Sequence, residues 1–525
     1  MTRLECDGET FGFQVAIGFT MGIDPRAHTA SPDEAVEFES DVQRVDEKRS
    51  RIDSRSSMTV TSAPAKRARR VLAHGTRAAD AAYWNPAFET MDTSPLRVIE
   101  QHLLRRQLAY TAKASAFYAA KWREAGVDVR RVGRVRLERL AELPLTEKAE
   151  LQAALGGSGA FGSNQAAPLD RLIRMQATGG TTSRPMRMAM TRHDAAVYCE
   201  AGARTHWAAG VRPGDVVFEC MNYSMYAGGV NDHMTFEALG ACVAPVGVGQ
   251  SSRLLSVLGD MPASGALYST PSYALHLAET ARAEGLEPRA LGLRKGVFSG
   301  DAGLEVPGIR SEIEATFGMV ARNVYGTSET APLASECDEV DGLHWMCAGL
   351  YLPELIETET GTSLTFEDGT VGELVITSLD REAHPLIRMR TRDHIRVTTQ
   401  PCRCGRTGFR FEVLGRADDM FIVRGINVYP LAVGAVVGEF RPTLTGEYQV
   451  VLEQRPPVME APLLRVELAA ALSAAEREAL RSRVIDRVRE LLVFTPNVVL
   501  LDPGAMPLSE TKTRRLVRAY DERPT

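Results

Sequence analysis

The spacing of hydrophobic and polar positions changes along the chain, and each change predicts a different kind of element. Between residues 95 and 126, Leu, Ile and Tyr recur every three or four positions, which predicts two amphipathic helices that end at Gly126. From about Leu172 to Val413, short apolar segments alternate with segments of helical spacing. The predicted strands include "GDVVFEC", "GACVAPVG" and "RKGVFSG", and the predicted helices include "PSYALHLAETARAEG" and "IRSEIEATFG". This alternation favours a layered α/β architecture.

The last part of the chain changes its pattern twice more. "GELVITS" and "HIRVTTQ" are predicted as strands of a turn-rich β part. After "GRADDM", three further strands are predicted around one helix: "YQVVLEQ", "LLRVELAAAL" and "NVVLL". Ser473 and Glu476 form a capping-box pattern where that helix begins. Its apolar face is predicted to consist of Leu480, Val484, Val488 and Leu491.

Together these patterns predict an α/β fold in three parts, because a chain of 525 residues exceeds what a single core holds. Residues 1–75 are rich in Asp, Glu, Arg and Ser without a sustained period, and are predicted to be a polar, disordered extension. Residues 76–414 are predicted to form a large N-terminal multi-layer α/β domain with a β-rich part. Residues 415–525 are predicted to form a small, mobile C-terminal α+β domain.

Composition and charge narrow the classes of function. Hydrophobic residues make up 44% and charged residues 24%, as in ordinary globular proteins. The net charge of −6, without long basic runs, offers no electrostatic surface for nucleic acid. No apolar run reaches membrane-spanning length and no N-terminal signal segment is found, so we expect a cytoplasmic protein with no membrane partner. Eight cysteines in so long a chain do not suggest a disulfide framework.

A run of small and hydroxyl-bearing residues lies between apolar flanks at residues 175–191, "MQATGGTTSRPMRMAMT". One interpretation is a flexible surface turn. The other is a loop that wraps phosphate, since glycines allow close backbone approach and hydroxyls donate hydrogen bonds. No Gly-Lys-Ser/Thr closes the loop, so it is not the P-loop pattern. The stretch by itself leaves both interpretations open.

Four more motifs follow this loop in order. The set is "ATGGTTSRP", "VYGTSET", "GELVITS" with "RMRTRD", "GRADDMFIVRGINVYP" and "MPLSETKTRR". In this combination and order they resemble the adenylate-forming acyl ligases. "RGINVYP", "HPLIRMRTRD" and the early "YWNPAFETM" are similar to the phenylacetate–CoA ligase branch. The resemblance runs from about Ala82 to Arg518 and leaves out the N-terminal extension.

The resemblance implies an ATP-dependent ligase with Mg²⁺ as cofactor. Such an enzyme adenylates a carboxylic acid, here expected to be aromatic, releases pyrophosphate and transfers the acyl group to coenzyme A. Two alternatives share the first step: an amide synthetase with an amine acceptor, and a loader of a carrier-protein thiol. A third alternative is a non-catalytic nucleotide-binding relative. The oligomeric state stays open, with a homodimer as one form considered.

The resemblance also assigns roles to individual residues. The ATP contacts it implies are Thr178, Gly179, Gly180, Thr181, Thr182, Arg184, Ser299, Gly300, Asp301, Tyr325, Gly326, Asp393 and Arg416. Tyr325 is expected beside the adenine, and Asp393 and Arg416 at the ribose. Arg184 stands where the family usually has a lysine; it keeps the positive charge and adds a fork that suits phosphate.

The catalytic residues implied are Thr327, Glu329 and Lys512. Thr327 is expected to donate to the α-phosphate, Glu329 to bind Mg²⁺, and Lys512 to reach the α-phosphate and the carboxylate. The domain of residues 76–414 is then the adenylation domain. The domain of residues 415–525 is a lid that turns about a hinge at Asp418, which Gly415 and Gly425 flank.

The residues also allow plainer interpretations of three of these motifs. "YGTSET" is compatible with a turn from a strand into a helix, capped by Thr327 or Ser328. Asp393 is compatible with a surface ion pair to Arg390 or Arg392. Lys512 on a polar tail is compatible with an ordinary solvated side chain.

A zinc site is predicted from Cys337, His344, Cys402 and Cys404. Three thiolates and one imidazole form a closed tetrahedral set, so the role of the metal would be structural. The alternative is three unrelated cysteines.

The acid pocket is the least defined part. "MNYSMYAGG" matches an aromatic stretch that lines the acid site in the family, which makes Tyr223 and Tyr226 the candidates. Met221 and Met225 suggest an adaptable apolar wall. Ordinary core packing of the two tyrosines is the alternative.

Overall fold

The computed structural model of the protein describes residues 78–156, 159–178, 185–261, 265–301, 303–424, 426–456, 458–506 and 515–522. All of them belong to one compact unit of the chain, Lys66–Thr525. Several predicted features lie outside the described residues: the extension of residues 1–75, Gly179, Gly180, Thr181, Thr182, Arg184, Gly425 and Lys512.

Several helices begin at a residue whose side chain caps them. The helices of the described residues are α1 (Pro86–Glu89), α2 (Thr93–Ala114), α3 (Ala116–Glu124), α4 (Lys148–Ala153), α5 (Arg192–Ala208), α6 (Val230–Leu239), α7 (Ser251–Asp260), α8 (Pro271–Ala283), α9 (Ile309–Phe317), α10 (Pro430–Gly438), α11 (Ala474–Leu492) and α12 (Ala519–Glu522). The helices capped in this way include α3, α5, α8 and α11. Thr191 accepts a hydrogen bond from the backbone N–H of Asp194 and so caps α5. The capping box of Ser473 and Glu476 caps α11, as predicted.

Most strands of the described residues belong to one large sheet. The strands are β1 (Leu172–Ala177), β2 (Arg187–Thr191), β3 (Val216–Glu219), β4 (Cys242–Pro245), β5 (Gly265–Ser269), β6 (Leu293–Phe298), β7 (Val320–Gly326), β8 (Pro332–Ser335), β9 (Leu343–Trp345), β10 (Tyr351–Ile356), β11 (Ser363–Leu364), β12 (Val371–Ser378), β13 (Met389–Thr398), β14 (Arg410–Arg416), β15 (Phe421–Val423), β16 (Ile426–Val428), β17 (Leu444–Leu452), β18 (Leu463–Leu468), β19 (Asn497–Leu501) and β20 (Leu516–Arg518). The large sheet has the order β11-β10-β12-β13-β14-β9-β8-β7-β6-β5-β3-β4.

This sheet has a parallel half and an antiparallel half. Strands β4, β3, β5, β6 and β7 pair in parallel. Helices α5 and α6 cover one face of the parallel half, where Trp207, Phe236 and Tyr268 share a core cluster. Helices α7, α8 and α9 cover the other face, where Leu277 and Phe317 share a second cluster. Both faces of a parallel sheet must be covered, so its strands are buried and apolar.

The antiparallel half begins where β7 pairs with β8, and it continues through β9, β14, β13, β12, β10 and β11. Beside the large sheet, β1 and β2 form a separate antiparallel hairpin. The residues after β14 form the hairpin β15–β16 and a four-stranded sheet of order β19-β18-β17-β20. Helices α10 and α11 share a core with this sheet. The α/β fold class predicted from the sequence is confirmed.

Two sequence-based expectations within the C-terminal part need correction. Leu480, Val484 and Val488 of α11 are buried, as predicted, but Leu491, in the last turn of the helix, is 46% exposed. The strand predicted from "LLRVELAAAL" ends at Leu468. Among the described residues, none of the helices combines the length and apolar composition that a membrane-spanning segment requires.

Candidate active site

Several of the described site residues lie at one edge of the parallel half of the sheet. The carboxyl ends of parallel strands lie at the same edge, and that edge is where α/β proteins bind ligands. Tyr223 follows β3, Ser299–Asp301 follow β6, and Thr327–Glu329 follow β7. Residues far apart in the sequence are therefore neighbours because of strand order.

The glycine- and threonine-rich loop belongs to the β1–β2 hairpin. The backbone N–H of Thr178 donates to the carbonyl of Met186 at 3.0 Å, and the Thr178 hydroxyl accepts from the N–H of Met186 at 3.1 Å. Thr178 is buried and closes the hairpin beneath the loop. Gln176 Nε2 donates to the carbonyl of Ser328 at 2.8 Å, which holds the hairpin against the connection after β7.

A chain of polar contacts joins β7, β13 and β14. The hydroxyl of Tyr325 donates to Asp393 Oδ2 at 2.6 Å, and Arg416 Nη1 donates to Asp393 Oδ1 at 3.3 Å. Asp393 and Arg416 face each other in the register of β13 and β14. Asp393 is only 6% exposed, so its carboxylate is held between a phenol and a guanidinium away from bulk water. Burial and the charge of Asp393 raise the pKa of Tyr325, which keeps the phenol a hydrogen-bond donor.

Arg416 also contacts the predicted hinge residue. Its Nε and Nη2 donate to the two carboxylate oxygens of Asp418, each at 2.9 Å. Burial alone would raise the pKa of Asp418, but the hydrogen bonds and charge of Arg416 hold that pKa below its ordinary value. Arg518 of β20 donates to the backbone carbonyl of Asp418. Both arginines that contact Asp418 belong to the predicted C-terminal domain, and Arg416 also contacts Asp393 on the other side of the predicted boundary.

Arg390 and Arg392 form ion pairs with other carboxylates. Arg390 pairs with Glu373 at 2.5 Å and with Glu147 at 3.1 Å, and Arg392 pairs with Glu147 at 2.7 Å. Asp393 is 6% exposed and pairs with Arg416, so it is a buried carboxylate and not a surface residue.

The connection between β7 and β8 contains Thr327 and Glu329. The Thr327 hydroxyl lies 3.1 Å from the hydroxyl of Thr330, within hydrogen-bond distance. The alternative of a turn into a helix is wrong, because β8 follows and pairs antiparallel with β7. Glu329 is 6% exposed, and its Oε1 lies 2.6 Å from Lys148 Nζ. A buried carboxylate oxygen suits Mg²⁺, a hard cation, so Glu329 fits the predicted role.

Lys148 is a residue that sequence reasoning missed. It occupies the first position of α4. Glu147 and Glu150 cap the N-terminus of this helix, where the Glu147 N–H donates to Glu150 Oε2 at 2.7 Å. A cation at that position opposes the helix dipole, which favours negative charge there. The lysine at the start of the helix in "PLTEKAEL" was a signal that the sequence offered. Its partner, Glu329, could not be identified in this way because it is 181 positions away in the sequence.

Asp301 stabilises the loop after β6. It accepts hydrogen bonds from the Ser272 hydroxyl at 2.8 Å and from the Gly303 N–H at 2.9 Å. Burial raises the pKa of Asp301. The N–H of Ser299 donates to the carbonyl of Ser269 at 3.0 Å, and Gly300 adopts φ +93°, a conformation that favours glycine.

The two tyrosines predicted for the acid pocket lie in different surroundings. Tyr223 is partly buried, and its hydroxyl lies 2.7 Å from Glu219 Oε2 and 3.0 Å from His233 Nδ1. Tyr226 is 42% exposed, so core packing does not describe it. Met225 is also exposed, whereas Met221 packs against the core shared by α5, α6 and the sheet. Sequence reasoning missed Glu219 and His233; the signal was a carboxylate closing the apolar strand "DVVFE".

The structure brings the four predicted metal ligands together. The ligand atoms of Cys337, His344, Cys402 and Cys404 all lie within 4.8 Å of one another. Cys337 follows β8, His344 lies in β9, and both other cysteines lie in the connection from β13 to β14. The alternative of unrelated cysteines is therefore wrong.

The donor set fits zinc. Three sulfurs and one imidazole nitrogen match the ligands of closed structural zinc sites. A hydrogen bond from Cys337, with a further contribution from His344, lowers the pKa of the Cys404 thiol, which favours the thiolate that a metal needs. The Tyr83 hydroxyl donates to the carbonyl of Cys404 at 2.8 Å, and Arg406 pairs with Glu89 at 2.9 Å. These contacts attach the cysteine loop to the "YWNPAFE" segment.

Known proteins resemble this chain in sequence and in structure. The profile of the AMP-binding enzyme C-terminal domain matches residues 425–523. Phenylacetate-coenzyme A ligase of Thermus thermophilus is 35% identical over 454 residues, and the match covers 83% of this chain and 99% of that protein.

Solved structures of 2-hydroxyisobutyryl-CoA ligase are also similar. In the postadenylation state, in complex with 2-HIB-AMP, that ligase is 31% identical, with coverage of 85% of this chain and 94% of that one and a TM-score of 0.79. In the thioesterification state, in complex with 2-HIB-AMP and CoA, it is 32% identical with the same coverage and a TM-score of 0.63. The whole-chain arrangement is therefore closer to the postadenylation state. This chain belongs to the adenylate-forming enzymes, in the branch of AMP-forming acid–CoA ligases that phenylacetate-coenzyme A ligase represents.

Proposed function

We propose that the protein adenylates an aromatic carboxylic acid with ATP, releases pyrophosphate and transfers the acyl group to coenzyme A. The observation that carries this proposal is the joint placement of two pairs at one edge of the sheet. Tyr325 and Asp393 supply a buried carboxylate beside an aromatic ring, and Glu329 supplies a second buried carboxylate, paired with the partly exposed cation of Lys148. Family membership and the curated ligases support the same reaction class.

In the first half-reaction, the chain must hold ATP so that the carboxylate attacks the α-phosphorus. Asp393 accepts from the ribose hydroxyls, with Arg416 holding its orientation, and Tyr325 places its ring beside the adenine. Mg²⁺ supplies charge neutralisation on the phosphates when bound, and Glu329 is its protein ligand. Lys148 is close enough to Glu329 to add a second positive charge there.

Two further residues act on the reacting centre itself. The Thr327 hydroxyl donates to an α-phosphate oxygen. Lys512 is the cation that bridges the α-phosphate and the attacking carboxylate, and so offsets their mutual repulsion as the bond forms. Gly179, Gly180, Thr181, Thr182 and Arg184 contact the outer phosphates.

In the second half-reaction, residues 415–525 turn about Asp418 and remove Lys512 from the site, so that the thiol of coenzyme A can reach the adenylate. The TM-scores support two arrangements of the family fold, since the same ligase scores 0.79 in one state and 0.63 in the other. The hydrogen bonds of Asp418 with Arg416 and Arg518 support a polar junction there as the hinge.

The aromatic character of the acid rests on Tyr223 and Met221 and on the phenylacetate ligases among the relatives. We also propose that Cys337, His344, Cys402 and Cys404 bind a structural zinc ion. It attaches the connection between β13 and β14 to the strands β8 and β9, next to the strand that contains Asp393.

Acid-dependent exchange of labelled pyrophosphate into ATP tests the adenylation step directly. We expect exchange with at least one aromatic acid, and an acyl-CoA product by mass spectrometry when coenzyme A is added. Amines and a phosphopantetheine carrier, offered in parallel, separate the amide synthetase and carrier-loading alternatives. Absence of exchange across a broad acid panel would overturn the proposal and favour a non-catalytic nucleotide-binding protein.

A further inference from the structure

A group of polar side chains lies next to Tyr223, where β3 ends against α6. We call it the Tyr223 cluster and define it as Glu219, Tyr223, Asp232 and His233. Glu219 is the last residue of β3, and Asp232 and His233 lie in the first turn of α6. Asp232 accepts hydrogen bonds from the hydroxyls of two buried tyrosines, Tyr268 at 2.6 Å and Tyr198 at 3.1 Å.

Glu219 is the unusual member of the cluster. Its side chain is 0% exposed, and its Oε1 is a buried oxygen without a hydrogen-bond partner among the described residues. Burial, followed by the charge of Asp232, raises the pKa of Glu219 to about 9. Leaving such an oxygen unpaired is unfavourable, because it has lost its hydrogen bonds to water.

The hydroxyl of Tyr223 also retains capacity for one more bond. A phenol has one O–H donor and two lone pairs. The Tyr223 hydroxyl lies 2.7 Å from Glu219 Oε2 and 3.0 Å from His233 Nδ1. It donates its proton to one of these neighbours and accepts a hydrogen bond from the other through one lone pair. His233 Nε2 lies 3.2 Å from Glu237 Oε1, which extends the cluster to the surface. The remaining lone pair accepts a hydrogen bond.

The cluster faces the edge of the sheet that holds the proposed acid site. A Cβ added at Gly247, after β4, would lie 3.7 Å from the ring of Tyr223. A Cβ added at Gly300, after β6, would lie 3.6 Å from Met221 Cε. Because both positions are glycines, the loops after β4 and β6 approach Tyr223 and Met221 without a side chain of their own.

We propose that Tyr223 is a specificity-determining residue that accepts a hydrogen bond from a hydroxyl or amino substituent on the acid substrate. Glu219 and His233 act as positioning residues that orient the phenol. This inference rests on the proposed function and adds a substrate class to it: an acid with a hydrogen-bond donor, rather than a plain aryl acid. A wall made only of apolar side chains would reject such a donor, because it would leave that group unpaired.

The test compares matched acids in the pyrophosphate exchange assay with the full-length protein. The panel pairs benzoate with its hydroxy and amino derivatives, and phenylacetate with its hydroxy and amino derivatives. For the wild type we expect kcat/KM to be at least about tenfold higher for one substituted acid than for its parent, the effect of one hydrogen bond of about 1.4 kcal/mol. Tyr223→Phe should reduce that ratio to about one. Comparison of the hydroxy derivatives with the amino derivatives shows which of the two substituents the protein recognises.

Two further variants separate specificity from folding. Tyr110→Phe is the matched control. The Tyr110 hydroxyl, on α2, lies within hydrogen-bond distance of the backbone carbonyls of Ala166 and Glu382 and has no contact with the Tyr223 cluster among the described residues, so this variant should keep the wild-type ratio. Glu219→Gln keeps the size of the side chain and should lower the ratio through KM for the substituted acid. The melting temperature of Glu219→Gln shows whether this variant folds. If it does not fold, the kcat/KM ratio of Tyr223→Phe alone tests the proposal.

The outcomes distinguish this inference from the proposed function. Exchange with parent acids as efficient as with any substituted acid would overturn the inference and leave the ligase function standing. An equal fall for all acids in Tyr223→Phe would show a structural role and would also overturn it. Absence of exchange with every acid would overturn both.

Discussion

The hydroxyl of Tyr325 donates a 2.6 Å hydrogen bond to Asp393 Oδ2, although the two residues are 68 positions apart. This bond joins the last parallel strand, β7, to the antiparallel strand β13. Arg416 holds the other carboxylate oxygen from β14. Asp393 is thus positioned from two sides before any nucleotide arrives, and that geometry makes its role testable.

We expect Asp393→Ala to raise KM for ATP roughly 10–100-fold, since hydrogen bonds to a charged group contribute about 1.5–3 kcal/mol. The effect on kcat should be smaller, because the ribose is bound equally in the ground and transition states. Steady-state kinetics with varied ATP measures both. Asp260→Ala, at an exposed helix end, is the control, and an unchanged KM in Asp393→Ala would contradict the assignment.

The pair of Glu329 and Lys148 predicts a change in metal dependence. Glu329→Gln removes the carboxylate charge without changing the size of the side chain, so half-saturation by Mg²⁺ should move to at least about tenfold higher concentration. Lys148→Met keeps the aliphatic stem and should weaken ATP binding instead. Titration of the exchange rate with Mg²⁺ at several ATP concentrations separates the two. Lys113→Met on the surface of α2 should behave as wild type; a Mg²⁺ titration unaltered by Glu329→Gln would refute the metal role.

Lys512 is predicted to act in only one of the two half-reactions. Lys512→Ala should lower adenylation by at least about a hundredfold, because the cation between nucleophile and phosphate is lost. Transfer to coenzyme A from a supplied acyl-adenylate should stay within about threefold of wild type. Single-turnover assays of each step make the comparison. Equal losses in both steps would show that Lys512 has a different role.

The cysteine–histidine cluster predicts bound zinc. We expect about one zinc ion per chain in the purified protein, and less than a tenth of that in Cys402→Ser, since removing one of four ligands opens the site. The melting temperature of that variant should fall by a few degrees. Elemental analysis and thermal unfolding provide the measurements. Cys242→Ser changes an exposed cysteine outside the cluster and serves as control; wild-type protein free of zinc would exclude the site.

His384 predicts a pH dependence of stability. Burial and the charge of Arg381 lower the pKa of His384 from its ordinary 6.5 to about 4. Between these values the unfolded chain binds the proton and the folded chain does not, so the free energy of unfolding falls as pH falls from 6.5 to 4. The loss reaches about 3 kcal/mol at most, and it is absent above pH 6.5.

Denaturant unfolding at several pH values measures that dependence. His384→Leu replaces the buried ring by an apolar side chain and should reduce the slope between pH 4 and 6.5 by up to about 1.4 kcal/mol per pH unit. His102→Leu, at an exposed position of α2, should leave the slope unchanged. The same slope in His384→Leu and wild type would contradict the assignment.

Local patterns were sufficient for several features. The strands that end at Glu219 and Phe298 were predicted from apolar runs between turn residues, and the start of α11 was predicted from Ser473 and Glu476. Such features depend on neighbours within a few positions. The error at Leu491 has the same origin, because helical spacing places it on the apolar face but does not show whether the last turn of that face is covered.

Residue type and motif order, which the sequence contains in full, determined the family. They also led to the proposed nucleotide contacts and to the four proposed metal ligands. Only the tertiary structure decided which of these side chains meet: Asp393 with Tyr325 and Arg416, Lys148 with Glu329, and Glu219 with Tyr223. Those pairings depend on strand order in a twelve-stranded sheet and on which face of a strand each residue occupies. Both are set by packing the whole chain around its cores, and no short stretch of sequence contains that information.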